Sequence, residues 1–127
     1  MFAFGSSDTA FVSQRHALYP HMTVFKNVQG DLTLRGWSQD EIRSRIAEME
    51  SWPWLSTILY KACRDLDEEE LYLAALSRAI GPNPEKLLLE LPEKPSARIS
   101  EAIAHIKNLF ALTITNNKTG TAWNRQI

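Results

Sequence analysis

The sequence predicts a mainly α fold, with an N-terminal β-hairpin followed by a bundle of about five short helices. Three observations carry that prediction. Apolar residues recur at helical spacing from Ile42 onward, capping boxes mark helix starts at Ser38 and Asp67, and two segments rich in Val, Thr, Phe and Leu flank a Gly30-Asp31 turn. The 127 residues suit one domain. They divide into an irregular arm (1–21), a helical domain with its hairpin (22–115) and a polar C-terminal tail (116–127).

The arm mixes small polar residues with Phe2, Phe4 and Phe11 and has neither a helical nor a strand period. Such a segment is expected to dock its aromatics on a neighbouring copy. The hairpin is read from MTVFKN and LTLRGW on either side of VQGD. At Ser38 the pattern becomes helical. Glu41 stands three residues on, so each side chain can satisfy a free N–H of the other, and Trp37 and Ile42 can form the accompanying staple. Ile42, Ile46 and Met49 share a face, and Glu41 and Arg45 are placed for an (i, i+4) pair.

Ser51 is expected to cap a second helix, with Pro53 in its first turn and a stripe of Leu55, Ile58, Leu59, Ala62 and Leu66. The third begins at Asp67 with Glu70 completing a box, is apolar on most sides, and ends at Gly81-Pro82. Asn83-Pro84 reads as the start of a short helix through Leu91, stopped by Pro92. A last helix, from about Ser96 to Leu112, carries Ile99, Ala102, Ile103, Ile106 and Phe110 on one side.

Fourteen basic against fifteen acidic residues leave a net charge of −1, which offers no global field for phosphate. The lone Cys63 cannot make an internal disulfide, the opening residues lack the pattern of a secretory signal, and no run approaches the ~18 apolar residues of a membrane span. A cytoplasmic location follows as the expectation.

His16 and His21 stand in the arm and His105 far away, so neither a metal site nor a catalytic triad is expected. The acidic run from Asp65 to Glu70 lacks the glycine and terminal acid of a calcium loop, and fits a helix start instead. The five glycines form neither GxGxxG nor a P-loop, and no cofactor is expected. Asn117-Lys118-Thr119 matches the glycosylation pattern as chance would supply it. Arg35, Arg43 and Arg45 raise the alternative of a small DNA-binding transcriptional regulator, to be recognised by their clustering on one exposed face. A third alternative, a small enzyme, needs one of the histidines beside an acid in a pocket.

Of the tryptophans at 37, 52, 54 and 123, Trp52 and Trp54 straddle Pro53 and point in different directions. Exposed tryptophan favours protein interfaces, and core packing is the alternative for each. Trp52, Trp54 and Phe110 are the candidate partner-binding residues.

LTLRGWSQDEI, a short strand running through Arg-Gly into a capped helix, resembles a pattern in the tail assembly chaperones of long-tailed bacteriophages. LLLELPEKPSARISEAIAHIKNLFAL is similar to their late region, and together the two cover about a third of the chain. The resemblance implies a helical, non-enzymatic protein without catalytic residues. Such a protein multimerises, coats the tape-measure protein and helps recruit tail-tube subunits in the host bacterial cytoplasm. Self-association is therefore expected, and neither membrane nor nucleic acid is expected as a partner.

Overall fold

The computed structural model describes residues 9–13, 18–92, 94–109 and 113–116. Their order is β1 (Thr9–Val12), α1 (Val24–Leu34), α2 (Gln39–Met49), α3 (Pro53–Ser56), a 3-10 turn (Cys63–Asp65), α4 (Glu68–Ile80), β2 (Lys86–Leu89), α5 (Ala97–Leu109) and β3 (Thr113–Asn116). The strands form one sheet in the order β1-β2-β3, parallel throughout. Thr9 pairs with Lys86 and Lys86 with Thr113, so the three strands run in step from the same end. A parallel sheet packed with helices is an α/β arrangement. The expected mainly α fold with an N-terminal hairpin is therefore corrected.

The hairpin is the largest local correction, because residues 24–34 form a helix. Thr23 caps it by accepting from the Lys26 N–H, and Val24, Val28 and Leu32 all face inward. Gly30 lies inside the helix with open space around it rather than in a turn. The true reversal comes at Gly36, whose φ of 88° is the left-handed value that glycine accepts without strain. The Gly36 N–H donates to the Thr33 carbonyl and the Trp37 N–H to the Leu32 carbonyl, a Schellman ending.

The capping boxes at Ser38/Glu41 and Asp67/Glu70 are both formed. Glu41 is thus engaged by the Ser38 N–H, and Arg45 turns inward instead of pairing with it. Residues 55–66 depart further from expectation. Leu55, Ile58, Leu59 and Leu66 are buried, but only Pro53–Ser56 is α-helical. The backbone beyond is committed to the start of α1: Val24 N–H donates to the Lys61 carbonyl, Phe25 N–H to Leu59, and Cys63 N–H to Met22. A continuous helix would have consumed those groups internally.

Residues 86–89 form a strand where a helix was expected. Asn83 adopts φ 60°, a left-handed value that asparagine tolerates better than most residues, and this turns the chain out of α4 into the sheet. Leu87 and Leu89 share one face of the strand and are fully buried there, while Leu88 on the other face is half-buried. Strand β1 falls within the segment read as an irregular arm. α5 then links β2 to β3, and Ile99, Ala102, Ile103 and Ile106 form its inner face.

Candidate functional site

In an open parallel sheet, ligands bind outside the carboxyl ends of the strands, where the chain leaves for the next helix. Here that edge is made by Ser13 after β1, Glu90 and Leu91 after β2, and Asn116 closing β3. The Glu90 N–H donates to the Val12 carbonyl at 2.8 Å, which carries the ladder past the last paired residue and fixes the backbone that holds this acid. Burial, and secondarily the Glu90 charge, push the Tyr72 phenol above its ordinary value. An acid following an apolar strand is what a hard cation needs, since Mg²⁺ is commonly held through one or two carboxylates together with substrate phosphates. Among the described residues no group of three His, Cys, Asp or Glu forms an all-protein metal cage.

A second feature lies on the helical side. α1 and α2 diverge to leave an open groove of about 1170 Å³, walled by Met22, Phe25, Leu34, Ile42, Ile46 and Tyr60. Leu34 is 87% exposed there and Tyr60 60%. The Tyr60 hydroxyl donates to Glu50 Oε2, and that bond raises the phenol's pKa.

The sequence-predicted residues fall elsewhere. Trp52 and Trp54 are both buried and stacked, with ring centroids 5.3 Å apart. Trp54 Nε1 donates to Ser77 Oγ at 2.9 Å, and Ser77 donates onward to the Leu73 carbonyl. Both indoles are thus core groups here, and the exposure on which a partner-binding role rested is not found. Phe110 lies outside the described residues, as do Phe2, Phe4, His16, Asn117 and Trp123. His21 packs edge-on to Tyr19, and His105 sits 5.6 Å from Trp54. Cys63 is buried, which raises its thiol pKa, and Asn27 Nδ2 donates to its sulfur.

The three arginines do not share a face. Arg35 pairs with Asp31 at 2.9 Å and Arg43 with Asp40 at 2.8 Å, while Arg45 is buried. Sequence reasoning missed both Glu90 and the groove. A short apolar run ending in an acid, KLLLE, is the available signal for the first, but the preceding Asn-Pro reads as a helix start and masks it.

No family model matches the chain. Similar proteins are nonetheless found among nucleotide-binding components of import systems. The sequence is 38% identical over 85 residues to a trehalose/maltose import ATP-binding protein of Thermococcus litoralis, covering 67% of this chain and 23% of that protein. It is 36% identical over 83 residues to a molybdate/tungstate import ATP-binding protein of Pyrococcus abyssi, covering 65% and 24%. An sn-glycerol-3-phosphate import ATP-binding protein of Yersinia enterocolitica gives the same 36% over 83 residues. The chain spans about a quarter of the length of these relatives.

The fold is shared with CbiO1 of Clostridium perfringens, part of the ABC transporter complex CbiONQ. The TM-score is 0.73 at 18% identity, over 86% of this chain and 46% of that one. These likenesses overturn the expected phage tail assembly chaperone and, with it, the tape-measure and tail-tube partners. They equally overturn the alternative of a DNA-binding regulator and the expectations of a non-enzymatic protein and of no membrane partner.

Proposed function

We propose that this chain is a segment of the ATP-binding subunit of an ABC-type import system. In this reading nucleotide lies at the carboxyl edge of the sheet, and another subunit of the transporter occupies the α1–α2 groove. The observation that carries it is the 38% identity over 85 residues to an import ATP-binding protein. What the relatives' names share is import and ATP, whereas their cargoes differ, and the reading is confined to the shared part.

Glu90 is the residue assigned to Mg²⁺ on the nucleotide phosphates, the role that an acidic residue fills in P-loop nucleotide hydrolases. Mg²⁺ supplies charge neutralisation at the phosphates when bound. The chain's own contributions are a carboxylate on a pinned backbone and an apolar sheet behind it that excludes water. No GxxxxGK[ST] run occurs in the 127 residues, so a main-chain phosphate cradle of that kind is not assigned to them. Among the described residues no helix is long and apolar enough to cross a membrane. Location on the cytoplasmic face, held to the membrane through its partner subunit, is part of the same proposal.

The test is an amide NMR titration with Mg·ADP. Because the cradle is absent, binding is expected only near about 1 mM, corresponding to roughly 4 kcal/mol. The Ser13, Glu90 and Leu91 resonances should shift while those of α2 stay in place, and Glu90→Gln should remove the Mg²⁺-dependent part. Unmoved resonances at the sheet edge in saturating nucleotide would overturn the reading.

A further inference from the structure

Among the charged side chains, Arg45 is buried to an unusual degree, being 5% exposed on an otherwise polar helix. Most of its guanidinium's hydrogen bonds leave α2. Nε donates to the Gly81 carbonyl at 2.7 Å, Nη2 to the Ile80 carbonyl and to Asn83 Oδ1, both at 3.0 Å, and Nη1 to Glu48 at 3.3 Å. The Trp52 ring lies 5.3 Å away on its face.

The reason for this arrangement lies at the end of α4. The last carbonyls of a helix need donors from outside it. Pro82 follows Gly81 directly and has no N–H to give, and the Asn83 N–H reaches only the Ile80 carbonyl. Arg45 supplies the missing donors across 36 residues of sequence. A planar fork with fixed N–H directions suits two neighbouring carbonyls and an amide oxygen at once, which a lysine ammonium does not reproduce. The turn it grips, Gly81 to Asn83, leads directly into β2 and hence to Glu90. α2 itself rests mainly on α1 and forms the far wall of the groove.

We propose that Arg45 is a positioning residue that ties the α2 wall of the groove to the α4–β2 turn, and so holds strand β2 and its Glu90 edge in place against the helical layer. The significance of that edge rests on the nucleotide-site reading above; the mechanical tie does not. A displacement of α2 by anything seated in the groove must carry the turn with it or break the fork. Arg45 is thus a direct side-chain tie between the groove wall and the turn, beside the packing of both helices on α1.

The test is amide hydrogen exchange on the 127-residue chain, which needs no nucleotide and so stands or falls separately from the functional reading. In Arg45→Lys, the amides of Leu87, Leu89 and Glu90 should exchange at least about tenfold faster, the equivalent of one hydrogen bond to a charged group, with Val28 and Leu32 in α1 unchanged. Asn83→Gly keeps the left-handed backbone at ease and removes only the side-chain acceptor, so it should give a smaller change of the same pattern. It also covers the case in which Arg45→Lys does not fold. Uniform acceleration of all amides, or acceleration confined to Gly81 and Asn83 while β2 is unmoved, would reduce Arg45 to a stabilising cap and overturn the proposal.

Discussion

Helices α2 and α4 begin in the same way and end in different surroundings. Each opens with a capping box, Ser38 with Glu41 and Asp67 with Glu70, and the two have similar lengths. Yet α2 buries one narrow face, Ile42, Ile46 and Met49 with Arg45 beside them, while α4 buries an unbroken run from Tyr72 to Ser77 and then Ile80. α4 packs on α1, α3, α5 and β1, whereas α2 leans on α1 and borders the open groove. The contrast teaches that a cap decides where a helix starts and the breadth of its apolar surface decides how deeply it sits. It also divides the molecule into a closed half built around α4 and an open half that presents α2.

The largest expected effect tests the closed half. Leu76 is fully buried in α4, and Leu76→Ala removes buried methyl groups and leaves a cavity at a tightly packed junction. The expected loss is about 2–5 kcal/mol in chemical denaturation. A loss below that range would mean that the interior repacks freely, and the division into two halves would not stand.

An alkaline titration sharpens the same contrast. Burial raises the Tyr72 phenol above its ordinary value of 10.0, with a further contribution from Glu90, and burial raises the Cys63 thiol above 9.0. In both cases the unfolded chain releases its proton first. The stability that these groups contribute is fully present below their unfolded values, and it is lost as pH rises through the folded ones. Thermal midpoints should hold from neutral pH to about 9 and then fall, with a steeper decline past about 10. Tyr72→Phe should remove most of the steeper part, leaving the small share of the exposed Tyr60, whose bond to Glu50 also raises its phenol. An unaltered profile in that variant would take Tyr72 out of the account.

These two halves were unequally legible in the sequence. The starts of α2 and α4 could be read because a capping box is local: the residues that satisfy one another lie three apart. α1 could not, although Val24, Val28 and Leu32 repeat every fourth residue, because Gly30-Asp31 offers an equally local turn signal and the helix absorbs the glycine. Strand β2 was hidden for a different reason. Four residues, Lys86 to Leu89, are too few to show a period, and they form a strand only because β1 and β3 stand on either side. The sheet edge and the groove are therefore non-local by construction. Arg45 shows the same limit in one residue, since all its acceptors but Glu48 lie 35 to 38 positions away.

The caps themselves give a smaller effect and a direct comparison between the halves. Ser38→Ala leaves the Glu41 N–H without its side-chain acceptor, and Asp67→Ala does the same to the Glu70 N–H. Each should cost about 1 kcal/mol, by the same mechanism and by similar amounts. Denaturation midpoints that move for one variant and not the other would show that depth, and not the cap, sets the stability of these helix starts.

The smallest effect on stability is expected in the open half, where it matters most for the proposed partner. Leu34 closes α1 on the groove wall and is 87% exposed, so folding gains almost nothing from hiding it. Leu34→Ser should therefore change stability by no more than about 0.5 kcal/mol. Binding is a different matter, because an apolar side chain left in water by folding is area that a docked subunit can still cover. Met22 and Tyr60 are exposed on the same groove, so the loss of one residue should weaken association without abolishing it. The measurement pairs a denaturation curve with co-purification of the proposed partner, a transporter membrane subunit, from cells expressing both. Unchanged stability with reduced co-purification supports the division between a half that folds the chain and a half that presents it. A stability loss comparable to that of Leu76→Ala would place Leu34 in the core of the fold and remove the groove as a docking face.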